Sequence, residues 1–257
     1  MPSLAPVPSS MLAIDGLAKD FGGVRAVHGV ALRVASEEIL GLIGPNGSGK
    51  STMVNLITGV FPPSAGRIVF RDRDITGWLP HRVLAAGIGR TFQNIRLFRG
   101  LTVWQNLWVA QGARAAGLGF MRWLTTDRER LRQIEATLEF CRLADKRDEL
   151  AGSLAFGEQR RLELARILAA DPELLLLDEP AAGMNAAEVT DLSERIQALR
   201  RRGKTVVLIE HHMELVMAVA DRVAVLNFGE KICEGSPAAV QDDARVREAY
   251  LGARREP

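Results

Sequence analysis

The run Gly44-Pro45-Asn46-Gly47-Ser48-Gly49-Lys50-Ser51-Thr52 constrains this chain more than any other stretch. It follows the strand-like run 38–43 and precedes the apolar-periodic residues 53–57, which predicts a loop between a strand and a helix. Closely spaced glycines let successive backbone N–H groups converge on an anion, and the N-terminus of the following helix adds its positive end. In that setting Lys50 reaches the β- and γ-phosphates of a bound nucleotide. Ser51 offers its hydroxyl to Mg²⁺, and Thr52 hydrogen-bonds on the α-phosphate side. A glycine-rich turn that matches by accident has no reason to sit between a strand and a helix.

A second feature points to the same chemistry. Residues 174–177 are four leucines followed by Asp178-Glu179-Pro180, a buried strand ending in two carboxylates, where parallel sheets place ligand chemistry. Asp178 is expected to hold Mg²⁺ through its water shell, and Glu179 to act as general base or to orient the attacking water. Taken alone, two solvated acids closing a core strand would explain the pair equally well. The phosphate loop tips the reading toward nucleotide chemistry.

The apolar runs 39–43, 174–177, 206–209 and 223–226 are too short for helices and alternate with helix-like stretches. This predicts an α/β fold, a mostly parallel sheet covered by helices on both faces; an antiparallel β part towards the N-terminus is a further expectation. Between about residues 97 and 150 the strand signal vanishes. Residues 103–116 and 127–143 instead carry apolar residues at three- and four-residue spacing, predicting a helical insertion. Gly235-Ser236-Pro237 introduces two short helical pieces ending near Leu251. The expected division is a Pro- and Ser-rich tail at 1–10, a nucleotide-binding core at 11–96 and 155–235, a helical subdomain at 97–154, and a helical extension at 236–257.

Composition removes several classes. Lys and Arg number 33 against 31 Asp and Glu, a net charge of +2, which gives no broad field for gripping nucleic acid. The two cysteines, Cys141 and Cys233, form no CxxC pair and are expected to be inert packing residues. No apolar run approaches the roughly 20 residues of a membrane span, so any membrane link is expected to come through a partner. The opening residues lack the basic-then-apolar pattern of a signal peptide.

With Leu154-Ala155-Phe156-Gly157-Glu158-Gln159-Arg160-Arg161 lying between the phosphate loop and the acidic strand end, the chain resembles the ATP-binding cassette family over nearly its whole length. Further motifs fall in the family's order: Phe21, Gln93 within Arg90-Thr91-Phe92-Gln93-Asn94, Ala181-Ala182-Gly183-Met184-Asn185, and His211. The resemblance implies that Phe21 stacks on the adenine and that Gln93 contacts metal and water while sensing the permease. It likewise implies that His211 hydrogen-bonds the γ-phosphate. Residue by residue, Phe21 also reads as a core Phe beginning a turn, and Gln93 as a surface loop residue. His211 and His212, being adjacent, point to opposite faces of an extended segment and do not suggest a shared metal site. Leu154, Ala155, Phe156, Gly157 and Glu158 stand where the family commonly has Leu-Ser-Gly-Gly-Gln and act on the nucleotide of the opposite subunit. Ala155 has no hydroxyl to offer there, so two unequal ATP sites in a heterodimer are one expectation, and a homodimer stays open.

The runs 89–98 and 178–185 and the ending Glu248-Ala249-Tyr250-Leu251-Gly252 are similar to ATP-binding subunits of branched-chain amino-acid importers. That branch implies ATP and Mg²⁺ as cofactors, a second cassette, two permease subunits and, indirectly, an extracytoplasmic solute-binding protein. It also implies a peripheral place on the cytoplasmic face of a bacterial inner membrane. Related importers take urea, amides or aromatic acids. A non-transport cassette of DNA repair or translation fits less well, since there is one phosphate loop and no sustained heptad pattern. A module that binds ATP without turnover is opposed by Glu179, and a GTPase by the lack of an Asn-Lys-x-Asp segment.

Overall fold

A computed structural model describes residues 10–91, 95–115 and 127–252. Its strands are β1 (Ser10–Phe21), β2 (Val24–Ala35), β3 (Ile39–Ile43), β4 (Ala65–Phe70), β5 (Arg73–Asp74), β6 (Ile88–Arg90), β7 (Leu174–Asp178), β8 (Thr205–Ile209), β9 (Arg222–Asn227) and β10 (Glu230–Gly235). They form a six-stranded sheet ordered β10-β9-β3-β8-β7-β6 and a four-stranded one ordered β2-β1-β4-β5. In the larger sheet β9, β3, β8, β7 and β6 run parallel and β10 closes one edge as an antiparallel hairpin. The smaller sheet is antiparallel throughout. This is the α/β arrangement expected from the apolar runs.

The parallel strands are apolar on both faces because both faces are covered. In β3, Ile39 and Ile43 enter one core while Leu40 and Leu42 enter the other; in β7, Leu175 and Leu177 go one way and Leu174 and Leu176 the other. One core is shared with the antiparallel sheet, the helix after the phosphate loop and the short helix Pro80–Ala86, the second with the helices from residue 103 onward. Strands β7 and β8 extend beyond their apolar runs by Asp178 and Thr205, since the ladder pairs Leu174 with Thr205 and Asp178 with Ile209. Polarity hid those ends.

The helices are α1 (Lys50–Ile57), α2 (Pro80–Ala86), α3 (Val103–Ala115), α4 (Asp127–Phe140), α5 (Phe156–Ala169), α6 (Ala186–Arg201), α7 (Met213–Val219), α8 (Pro237–Asp242) and α9 (Ala244–Gly252). Helix α4 stops three residues before its apolar periodicity does. Arg142 takes the left-handed conformation (φ 52°), the Leu143 N–H returns to the Leu138 carbonyl (2.8 Å) and the Arg142 N–H to that of Glu139 (3.0 Å). This is a Schellman ending, invisible in sequence because Arg stands where Gly usually signals it. Cys141 and Leu143 remain buried beyond the stop. Trp104 and Trp108 on α3 stack on each other at 5.3 Å and pack against the core.

Candidate nucleotide site

The phosphate loop joins β3 to α1 beside the end of β9. A Cβ at Gly44 would lie 2.1 Å from the Leu226 carbonyl oxygen, and one at Gly49 2.6 Å from that of Ala26. Only glycine fits at either position. Lys50 is buried, and its ammonium donates to the carbonyls of Gly44 (2.7 Å) and Pro45 (2.9 Å). Burial lowers the Lys50 pKa, while the Glu179 and Asp178 carboxylates act in the opposite direction. Asn46, Gly47, Ser48, Gly49, Lys50, Ser51, Thr52 and Glu179 line an open cavity of about 610 Å³, large enough for a nucleotide's polyphosphate. Ser51 and Thr52 occupy the first turn of α1, where their hydroxyls stand beside the free backbone N–H groups.

Parallel pairing of β7 with β8 delivers the acids. Asp178 is buried; its backbone N–H donates to the Thr91 hydroxyl (2.9 Å) and its carboxylate accepts from Arg90 (2.7 Å). Glu179 sits at φ 46°, a costly conformation for a residue with a side chain, tolerated where surroundings over-determine it. Its N–H is held by the Ile209 carbonyl at 2.9 Å. His211, just beyond β8, places Nδ1 3.8 Å from the Glu179 carboxylate. Loop, lysine, Asp178, Glu179 and His211 therefore gather at the carboxyl ends of adjacent strands.

Other sequence-derived residues lie further out. Phe21, at the end of β1, is 41% exposed and meets Phe61 edge-on at 5.3 Å, so it is a surface aromatic and not a core Phe. Gln93 lies outside the described residues. In the 154–158 segment, Ala155 is the N-cap of α5 and has no side-chain acceptor, but its N–H donates to the Glu158 carboxylate (2.9 Å). The departure at 158 thus supplies half of a capping box. Phe156 is half exposed with the Arg160 guanidinium 5.4 Å from its ring centroid. Among the described residues no cluster of three or more His, Cys, Asp and Glu could by itself hold a metal. Mg²⁺ keeps most of its waters and takes one or two protein oxygens plus phosphate, and the Ser51 hydroxyl with the Asp178 carboxylate fits that sparse donor set.

Three residues escaped the sequence reading. Arg90 ends β6 and ties Asp178 to Asn55 (2.6 Å) of α1 and to its C-cap Thr58 (3.3 Å). Glu210 is fully buried between β8 and His211. Phe228, at φ 46° and 86% exposed, lines the cavity from the β9–β10 turn. Arg90 had a signal in its place beside Thr91-Phe92-Gln93; Glu210 had only its adjacency to His211.

A strand-borne phosphate loop with a buried lysine and strand-end acids defines a P-loop ATPase core. Two family patterns match the sequence: ABC transporter over residues 27–182, and branched-chain amino acid ATP-binding cassette transporter over residues 230–256. The chain belongs to the ABC transporter family, as an ATP-binding cassette. It is 43% identical over 249 residues to the high-affinity branched-chain amino acid transport ATP-binding protein LivG of Salmonella typhimurium, an alignment covering 94% of this chain and 98% of that one. It is 37% identical over 241 residues to the lipopolysaccharide export system ATP-binding protein LptB of Escherichia coli (94% and 97% covered). Among solved structures, the ADP conformation of MJ1267, an ATP-binding cassette of an ABC transporter, matches with a TM-score of 0.84 and 32% identity over 95% of this chain and 99% of that one.

Proposed function

We propose that this cassette hydrolyses ATP to drive uptake of branched-chain or related amino acids through separate permease subunits. The observation that carries the ATPase part is Glu179, held in a strained conformation beside the phosphate loop and 3.8 Å from His211. The importer part is supported by the family match at residues 230–256 and the likeness to LivG.

Lys50 and the loop N–H groups bind the β- and γ-phosphates and neutralise their charge. Ser51, Asp178 and Gln93 are the residues that would hold Mg²⁺, Asp178 acting through water. The ion, when bound, supplies charge neutralisation at the phosphate oxygens. Glu179 orients water for in-line attack on the γ-phosphorus and receives its proton as the bond to the β–γ bridging oxygen breaks, leaving ADP and phosphate. His211 hydrogen-bonds the γ-phosphate. Phe21 stacks on the adenine. Residues 154–158 face the nucleotide of a second cassette, with α5's N-terminus and the Gly157 amide in place of the missing hydroxyl.

An apolar groove of about 480 Å³ between α2, α3 and α5, lined by Leu84, Leu97, Phe98, Val109 and Ile167, fits a permease loop. Phe98 and Val109 are 45% and 42% exposed there, and Asn106 fixes the segment carrying Phe98 by bonding both its N–H and its carbonyl. Residues 97–154 act as the subdomain that carries this contact. Among the described residues no helix is long and apolar enough to cross a membrane; attachment to the cytoplasmic face through the permease is supported by the likeness to LivG.

The test is ATP turnover by the chain alone and with its partner cassette and permease in nanodiscs, using Glu179→Gln as control. Assembly raises turnover and Glu179→Gln abolishes it. Turnover that ignores the permease and follows nucleic acid or ribosomes instead would refute the transport reading.

A further inference from the structure

A carboxylate with no exposed surface is costly to keep ionised unless its oxygens are fully engaged. Glu210 is such a group, and no role in nucleotide chemistry has been given to it above. Its side chain is 0% exposed. One carboxylate oxygen accepts from the Ala181 N–H (2.8 Å); the other accepts from the N–H groups of His211 (3.0 Å) and His212 (3.2 Å). The second oxygen also lies 3.8 Å from His211 Nδ1, the same distance that separates that atom from the Glu179 carboxylate. Ala181 follows Glu179 by two residues and begins the turn that leads through Gly183 to the N-cap of α6 at Asn185. One buried carboxylate thus grips two separate loops, each carrying one of the groups placed at the γ-phosphate.

Backbone bonding alone does not join these loops as tightly. Just past the end of β7, the Glu179 N–H bond to the carbonyl of Ile209, the last residue of β8, is the last rung between the two strands. Past it the chains diverge, and among the described contacts the Glu210 carboxylate bridges them. The arrangement also explains why the site tolerates the left-handed Glu179: the residue is held from behind by Ile209 and from ahead through Ala181.

We infer that Glu210 is a positioning residue, whose buried carboxylate sets His211 and the loop after Glu179 in one geometry so that both face the γ-phosphate together. It touches no substrate. Its action is exerted through backbone orientation, where displacements near 1 Å carry large rate penalties. The inference rests on the ATPase reading above.

Two substitutions cut the Ala181 link by different routes. Glu210→Gln keeps shape and volume; with its oxygen turned to the two histidine N–H groups, its amide must oppose the Ala181 N–H. Glu210→Asp keeps the charge and can still accept from residues 211 and 212, as Asp does in turns, but is one methylene too short to reach Ala181. Both are measured in the assembled transporter with ATP, alongside Glu179→Gln and His211→Ala. Each Glu210 variant is expected to lower kcat by about 10- to 100-fold and to shift KM for ATP by less than about threefold, since the Lys50 loop is untouched. On a His211→Ala background, Glu210→Gln is expected to cost clearly less than it does alone, because the histidine against which the loop after Glu179 is registered is gone, while the part of the loss that comes from the loop itself remains. Asp carries the test where the Gln variant is not recovered folded. A purely structural role would lower unfolding temperature without this split between kcat and KM or this non-additivity. Native kcat in a folded Glu210 variant, or an undiminished loss on the His211→Ala background, overturns the inference. If Glu179→Gln and His211→Ala themselves turn over ATP normally, the site assignment fails first, and with it the ground of this inference.

Discussion

Replacing Arg90 by Met should destabilise the fold far more than removal of a surface charge. The Arg90 and Asp178 side chains are 10% and 6% exposed and meet at 2.7 Å. Surface ion pairs contribute about 0–1 kcal/mol, but deleting one partner of a buried pair strands the other charge at a cost of about 3–5 kcal/mol. The same guanidinium satisfies Asn55 and Thr58, so those groups lose a partner too. For a chain of this size each kcal/mol shifts the unfolding midpoint by about 2–4 °C, which places the Arg90→Met midpoint about 6–20 °C below native. Thermal unfolding followed by circular dichroism, without nucleotide, reads this directly. Arg90→Lys should fall between, because an ammonium keeps the charge but cannot fork to three acceptors. The decisive comparison is the double variant with Asp178→Asn, which removes the stranded charge and should be less destabilised than the sum of the single changes. An Arg90→Met midpoint within about 2 °C of native, or additive single and double changes, would refute the buried-pair reasoning, given the roughly 2–4 °C per kcal/mol scale.

Gly44→Ala should abolish nucleotide binding while leaving the remaining strands intact, since its Cβ would meet the Leu226 carbonyl at 2.1 Å; nucleotide fluorescence titration beside far-UV circular dichroism checks both halves. Cys141 should resist alkylation in the native protein and react only on unfolding, because burial pushes its thiol up to about 12. The folded value lies above the ordinary 9 of the unfolded thiol, so this group's contribution to stability is complete below about pH 9 and is lost as pH climbs towards 12. Comparing the alkaline stability of Cys141→Ala with that of native protein isolates it.

What could be read from sequence was what local pattern controls. The phosphate loop, the four short strands and helices α3 and α4 were legible because glycine spacing and apolar periodicity are local signals. Where polar residues complete an element, as Asp178 and Thr205 do in the β7–β8 ladder, pattern alone ended it early. At Arg142 the helix stop is made by a residue whose identity does not announce a left-handed conformation. Phe21 could be assigned to surface or core only once β1 was paired, and Asp178 as the partner of Arg90 emerged only once β6 was laid beside β7.

Glu210 shows why the last part of the site resisted such a reading. Its value comes from register: β7 and β8 pair so that Asp178 lies opposite Ile209, which sets the first residues past each strand, Glu179 and Glu210, side by side. A parallel ladder alternates faces, so at this height Ile209 enters the core shared with α1 and the next residue, Glu210, turns towards the loop leaving β7. A slip of one residue would exchange them and place an isoleucine against the Ala181 N–H and a carboxylate in the apolar core. The apolar run 206–209 therefore does more than build a strand. By fixing which residue falls just beyond the last rung, it decides that a buried acid, and not an aliphatic side chain, stands between His211 and the loop after Glu179.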